Sequence, residues 1–255
     1  MSPESNVSPV QSFARGLSVI TAFDGEHPEM TLSEIAARTG LARATARRFL
    51  HTLIEVGYVT TDGRGFRLTA RVLELGFSYL SGLSLPEIAQ PLLETLSHEV
   101  GESSSASVLD GDDIVYVVRV PTRRIMSVGI SIGTRFPAHA TSMGRVLLAG
   151  LSDAALDEHL ERLPTTAYTS KTLTSAALIR EAVMIARDQG WALVDGELES
   201  GLRSIAVPLR GRDGRVSAAV NVSCGVGTPV ESMTRDILPR LLDTAMAIGS
   251  AGWLG

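Results

Sequence analysis

Residues 31–59, TLSEIAARTGLARATARRFLHTLIEVGYV, constrain the fold of this chain more than any other stretch. They carry two helical periods joined by a tight turn. Thr31 and Glu34 stand at the T-x-x-E spacing of a capping box, in which a hydroxyl and a carboxylate satisfy orphan N–H groups of the helix. Leu32, Ile35 and Ala36 share one face of this first helix. Thr39-Gly40 ends it, since glycine takes the left-handed conformation of a C-cap without a Cβ penalty. The second helix starts near Ala42, an N-cap that offers no side-chain oxygen. Its apolar residues Ala46, Phe49, Leu50 and Leu53 form one stripe. Ala44, Arg47, Arg48 and His51 face the other way, and Arg43 and Thr45 flank the first turn. A hairpin follows, with strands over Tyr58–Thr61 and Phe66–Leu68 around Asp62-Gly63-Arg64-Gly65.

A charged helix face is ordinarily just solvated. Here the Gly-containing turn, the small and basic first turn of the second helix, and the wing-like hairpin agree on insertion into a DNA groove. Charge supports this locally. The chain carries −5 overall, yet between Arg38 and Arg71 seven arginines meet only Glu55 and Asp62, a local +5 that leaves −10 elsewhere. Arg43, Thr45, Arg47 and Arg48 are expected to approach bases and backbone, beside Ala44 and His51. Arg64 and Arg67 are expected to hold phosphates from the wing.

At 255 residues the chain has room for two domains, and 44% hydrophobic content allows a sizeable core. No apolar run approaches the ~20 residues of a membrane helix. The opening MSPESNVSPVQS lacks the basic and apolar regions of a signal peptide, so it reads as a disordered leader and the protein as cytoplasmic. Cys224 is the single cysteine, and His27, His51, His98, His139 and His159 lack metal-ligand spacing. Neither a metal nor a cofactor is expected.

The boundaries read as a leader over 1–11, a winged helix-turn-helix domain over 12–68, a linker helix over 69–84 and an effector-binding domain over 85–255. The first domain opens with a helix over Ser12–Asp24 that packs through Phe13, Leu17, Ile20 and Phe23. The linker is more apolar than a solvated connector needs, which suits dimer contacts. In the last domain, helices are expected at Leu85–Val100, Ala140–Ala149, Ser152–Arg162, Ser175–Gln189 and Pro229–Gly249. Strands are expected at Ser103–Leu109, Ile114–Val120, Ile125–Ile130, Trp191–Asp195, Arg203–Leu209 and Val216–Val222. Blocks of strands joined by hairpins favour an α+β fold with an antiparallel sheet, of GAF-like or PAS-like kind.

Gly129-Ile-Ser131-Ile-Gly133 matches the G-x-S-x-G string of serine hydrolases. A nucleophile elbow needs a helix directly after the serine, and Pro137 argues against one, so no catalytic residue is assigned. Residues Pro137–Gly144, PAHATSMG, open a helix with small and polar groups. Free N–H groups and a positive partial charge there suit a carboxylate; a plain N-cap reads equally well. Ser204, Asn221, Ser223 and Cys224 lie on strands rich in Val and Ala, preceded by Asp195 and Glu197. Arg119, Arg123, Arg124 and Arg135 cluster in sequence as possible attractants for an anion or as surface charges.

Four separated segments carry a resemblance: GLARATARRFLHTLIEVGYV, the linker, RFPAHATSMGRVLLAGL and GLRSIAVPLRGRDGRVSAAVNVS. In this order they resemble the IclR family of bacterial transcriptional regulators. TARRFL, DDIVYVVRVPTRRIMSVGISIGTRFPAHATSMGRVLLA and GLRSIAVPLR look like the subgroup that regulates protocatechuate and 4-hydroxybenzoate catabolism in the β-ketoadipate pathway. The resemblance implies a homodimer, often assembled into a tetramer, on a palindromic promoter site. It also implies a pocket for a small aromatic or dicarboxylic acid, at Ile125, Ser142, Met143, Asp195, Leu202, Ser204, Asn221 and Ser223. The rival readings are an architectural DNA-binding protein without an effector, and a Ser131 hydrolase with an appended DNA domain.

Overall fold

The computed structural model describes residues 10–75, 85–122, 130–163, 166–211 and 213–251. The chain divides into two compact units, Met1–Ser81 and Gly82–Gly255.

The first unit contains α1 (Gln11–Thr21), β1 (Glu29–Met30), α2 (Leu32–Thr39), α3 (Arg43–Glu55), β2 (Val59–Thr61) and β3 (Phe66–Leu68). The capping box forms as expected: Glu34 N donates to Thr31 Oγ1 at 3.4 Å and Thr31 N to Glu34 Oε2 at 2.7 Å. Gly40 is left-handed at φ 65° and closes α2. α3 follows Ala42 with no side-chain cap and buries Ala46, Leu50 and Leu53. These meet Val19, Met30, Ile35 and Val59 in one core. Asp62 Oδ1 accepts from the N–H groups of Arg64 and Gly65, which sets the wing turn.

Four expectations change here. Gln11, placed in the leader, is the first residue of α1. α1 packs only through its C-terminal half, so Phe13 and Leu17 stay exposed while Val19 and Ala22 are buried. β1 was not foreseen, because two residues show no period; it pairs Glu29 with Arg67 and Met30 with Phe66 and gives a sheet of order β1-β3-β2. Of the linker helix expected over 69–84, Ala70–Val72 form a 3-10 turn, residues 73–75 are helical, and residues 76–84 lie outside the described ones.

The second unit contains α4 (Leu85–Val100), β4 (Ser103–Asp110), β5 (Asp113–Val120), β6 (Arg135–Pro137), α5 (Ser142–Ala149), α6 (Asp153–Glu161), α7 (Ala176–Gln189), β7 (Ala192–Asp195), β8 (Leu202–Arg210), β9 (Val216–Gly225) and α8 (Leu238–Ser250). The strands form one antiparallel sheet of order β6-β5-β4-β9-β8-β7. The β4–β9 pairing joins the N-terminal hairpin to the C-terminal one. Helices α4 and α8 pack against β4, β5, β8 and β9 and against each other. α5 packs on the same strands among the buried side chains of α6 and α7, so the sheet is the central layer. α5 is buried along Ser142–Leu148, as a helix at the centre of a domain is.

Of the strand expected at Ile125–Ile130, residues 125–129 lie outside the described ones. β6 was missed, being three residues long. The closing helix is not continuous: Val230–Ser232 leads through a π turn, Met233–Ile237, into α8. Pro239 has no N–H to give to the preceding turn, so the ladder widens before α8.

Candidate functional site

Arg43, Ala44, Arg47, Arg48 and His51 are all exposed on the side of α3 opposite its buried stripe, with Thr45 half-buried at the first turn. Arg64 and Arg67 are exposed on the wing. Among the described residues no ion pair engages Arg43, Arg47, Arg48, Arg64 or Arg67, whereas Arg38 is held by Asp24 at 2.6 Å and Arg71 by Glu74 at 3.4 Å. Arg38 and Arg71 are thus held by carboxylates, and the five on α3 and the wing stay exposed without one. The uncapped N-terminus of α3 adds N–H groups and a positive dipole end to the same surface.

In the second unit, a polar row crosses the sheet. Register places Ser103 opposite Ser223 and Ser223 opposite Ser204; Ser105 stands opposite Asn221 and Arg119. Paired residues in adjacent antiparallel strands share a face. These groups therefore project to one side of a sheet that is otherwise Val and Ala. Where the row meets the N-terminus of α5 there is a cavity, lined by Ser142, Leu202, Ser204, Asn221 and Ser223 among the residues expected for a pocket. Tyr116, Thr141 and the loop 197–199 complete its wall. Ser142 Oγ donates to Ser204 Oγ at 2.8 Å and Asn221 Nδ2 to Ser223 Oγ at 3.1 Å. Asn221 Oδ1 is buried without a partner. The cavity is small, about 20 Å³, on the scale of one water molecule. Nothing the size of a benzene ring fits in it with the walls as they stand.

The loop wall is tied down from two sides. Arg145, on the second turn of α5, donates Nη2 to Glu197 Oε2 at 2.5 Å and Nε to the His139 carbonyl at 3.2 Å. Both side chains of the pair are almost fully buried, at 6% and 10% exposed. Thr169 and Thr172 donate their hydroxyls to the Gly196 and Glu197 carbonyls. Gly144 lets α5 lie against the preceding turn: a Cβ there would stand 2.0 Å from the Ala138 carbonyl oxygen.

Two expected pocket residues are placed differently. Met143 does not line the cavity; its sulfur accepts from Ser107 Oγ at 3.2 Å and it packs in the core. Asp195 turns away from the cavity, accepting from Lys171 Nζ and Arg203 Nε, each at 2.9 Å. Ile125 lies outside the described residues, as do Arg123 and Arg124. Arg119 donates to Ser105 Oγ at 2.9 Å, and burial lowers its pKa. Arg135 is a surface charge, bound to Asp110 and Asp113.

Ser131 sits in an exposed turn beside Thr134, and β6 follows it where an elbow requires a helix. The ring nitrogens of His139 are buried without hydrogen bonds, so it does not engage that hydroxyl. Among the described residues no group of three His, Cys, Asp or Glu could hold a metal. Among them too, no helix is long and apolar enough to cross a membrane.

Comparison with known proteins decides the family. The model described as IclR helix-turn-helix domain matches residues 12–63, and that described as bacterial transcriptional regulator IclR C-terminal matches residues 77–250. This chain belongs to the IclR family. The Pca regulon regulatory protein of Pseudomonas putida is 46% identical over 91% of this chain and 80% of that protein. A transcriptional regulator of Rhodococcus sp. RHA1, known from its crystal structure, is 55% identical with a TM-score of 0.85, over 96% of this chain and 98% of that one. An IclR homolog of Microbacterium hydrocarbonoxydans crystallised with 4-hydroxybenzoate is 26% identical with a TM-score of 0.83, over 94% and 98% of the two chains.

In this IclR-family protein Tyr116 and Glu197 line the cavity and Arg145 holds Glu197; the reading of the residues singled out only Glu197 of the three. Arg145 did leave a signal: a lone charge within Met-Gly-Arg-Val-Leu-Leu, on a helix apolar all round, requires a buried counterion. Asp195 makes a separate prediction. Arg203, then Lys171, hold its carboxyl at about 2, below its ordinary 3.8. A carboxyl whose folded pKa is depressed stabilises the fold above its unfolded pKa and loses that contribution as pH falls through the folded value. Unfolding free energy followed from pH 5 to 2 is expected to drop less steeply in Asp195→Asn than in the unaltered protein. Identical slopes between about pH 4 and 2 would remove this pair from the acid response.

Proposed function

We propose that this IclR-family regulator controls catabolism of aromatic acids and reads a palindromic promoter site as a homodimer. Arg43, Thr45, Arg47 and Arg48 reach bases and backbone in the major groove, with Ala44 and His51 beside them, and Arg64 and Arg67 hold phosphates. A small acid binds between the N-terminus of α5 and the polar row of the sheet. Its carboxylate sits near Ser142, and Leu202, Ser204, Asn221 and Ser223 surround the rest. The observation that carries the effector half is the cavity itself: small, at a helix N-terminus, with hydroxyl and amide groups interrupting an apolar wall and one buried acceptor left unsatisfied. The 4-hydroxybenzoate bound to the Microbacterium homolog and the Pca relative support an aromatic acid of the protocatechuate and 4-hydroxybenzoate class.

The domains divide as 12–68 for DNA, 69–84 as connector and 85–255, GAF-like, for the effector. A second copy of the chain supplies the other half-site. An open apolar groove lined by Phe13, Leu17, Ile20, Phe49 and Val56 supports pairing of the first unit. The effector regulates only by favouring one arrangement of the dimer over another, and a cavity that must open to admit it supplies such a difference. Promoter binding places the work in the cytoplasm.

The test is a mobility shift on the DNA upstream of the protein's own gene, titrated with protocatechuate, 4-hydroxybenzoate and β-ketoadipate at fixed salt. A specific shift that one acid alters is expected. A specific shift indifferent to all three would keep the DNA-binding reading and remove the aromatic-acid assignment. In the same assay Arg48→Ala is expected to weaken specific binding by about 1–3 kcal/mol. Unchanged affinity would withdraw Arg48 from base contact.

A further inference from the structure

We infer that Arg71 is a positioning residue for DNA binding: together with Thr69 it fixes the exit of the arginine-bearing helix α3 to the start of the connector, and it is not itself a phosphate contact. This rests on the DNA-binding reading above. α3 ends at Glu55 with no basic residue in its last turn, so the negative end of its dipole has no cation of its own. The chain then runs through Val56, Gly57 and Tyr58, whose carbonyls lie beyond the helical ladder. Each of the three accepts from the connector. Arg71 Nη1 donates to the Val56 carbonyl at 2.8 Å, Thr69 Oγ1 to that of Gly57 at 2.6 Å, and Thr69 N to that of Tyr58 at 2.9 Å.

The guanidinium has a shaped seat. It lies over the Tyr58 ring, 5.3 Å from the centroid, where a cation meets the negative face of the π system. Glu74, one turn on, accepts from Nε at 3.4 Å. Gly57 is left-handed at φ 81°, and a Cβ there would stand 3.2 Å from Nη1, so the turn leaves room for the arginine. Thr69 Oγ1 also accepts from Arg71 N at 3.3 Å, which caps the 3-10 turn Ala70–Val72 and holds both donors in one unit. Arg71 is 52% exposed, so the rival role is a further phosphate contact from beside the wing. The two roles differ in what they do. A phosphate contact strengthens binding to every sequence alike, whereas a clamp that sets the angle of α3 matters only where base edges are read.

The test is a mobility shift of full-length Arg71→Met and Thr69→Val on the DNA upstream of the protein's own gene and on an unrelated duplex of equal length, over a series of salt concentrations. Methionine keeps an unbranched stem without the donors, and valine keeps the shape of threonine without the hydroxyl. Each variant is expected to bind the upstream DNA about tenfold more weakly, the worth of one good base contact. Binding to the unrelated duplex, and the slope of log affinity against log salt, are expected to stay those of the unaltered protein. A slope shallower by about one in Arg71→Met, with equal losses on both duplexes, would make Arg71 a phosphate contact and overturn the inference. Upstream binding unchanged in Arg71→Met would overturn it as well. Thr69→Val changes no charge and decides independently of how Arg71→Met folds: full affinity for the upstream DNA in that variant, or equal losses on both duplexes, would remove the clamp. Failure of the unaltered protein to shift either duplex would overturn the DNA-binding reading, and this inference with it.

Discussion

Arg145→Met is expected to cost the second unit about 3–5 kcal/mol of stability, because it strands the Glu197 carboxylate in a site with almost no access to water. The methionine fills most of the volume, so the loss is electrostatic and not a cavity effect. The His139 carbonyl loses a donor at the same time. Urea denaturation of the full-length chain, with the second unit followed separately, reads the change. The partner experiment is the double variant Arg145→Met/Glu197→Gln. Removing both charges leaves a neutral amide that can still meet Leu173 N, which donates to Glu197 Oε2 at 3.4 Å. The double variant is therefore expected to recover most of the stability, since a buried pair is worth little against neutral replacements while a broken pair is expensive. A single variant within about 1 kcal/mol of the original protein would place the pair in contact with solvent. Since Glu197 also walls the cavity, the single variant is expected to lose its acid response even where it remains folded.

Gly144→Ala carries the second large effect, and its origin is steric. A Cβ at this position stands 2.0 Å from the Ala138 carbonyl oxygen and 2.4 Å from its Cα, both backbone atoms. No rotamer change relieves that overlap. α5 and the turn Ala138–Ala140 must separate, which strains the Thr141 cap, whose Oγ1 accepts from Gly144 N at 3.1 Å. Overpacking of a tight interior typically costs about 1–3 kcal/mol, and a backbone collision belongs at or above the upper end. At about 2–4 °C per kcal/mol for a unit of this size, the melting midpoint falls by roughly 6–12 °C. Gly227→Ala is the control, as nothing stands within 4 Å of its Cβ position, and it is expected to melt close to the unaltered protein. Equal midpoints for the two variants would show that the turn and α5 part without cost.

The two units differ in how much of them was legible. In the first, nearly every determinant is local. The Thr31–Glu34 box, the Gly40 cap and the Asp62 turn each act within four residues, and each forms as its spacing requires. The arginine face of α3 follows from the 3.6-residue period alone. What failed there was α1, where Phe13 and Leu17 follow helical spacing but the body they face covers only the last turns. In the second unit the longer strands were readable from their alternation and turns, whereas β6, like β1 in the first unit, was too short to show a period.

The cavity was legible as a set of residues but not as a place. The chain's own order established a winged helix-turn-helix, an antiparallel α+β domain and a cluster of small polar groups on apolar strands, because hydrophobic period, capping and turn chemistry are properties of neighbouring residues. Tertiary structure alone decided which of those groups meet. Pairing of β4 with β9 sets Ser105 beside Asn221, and packing of α5 on the sheet brings Ser142 to Ser204 across 62 residues of sequence. The same packing sends Asp195 to Lys171 and Arg203, and Met143 into the core. It pairs Arg145 with Glu197 across 52 residues. A buried charge or an unsatisfied amide acquires its meaning only from the distant atom that does, or does not, come within reach of it.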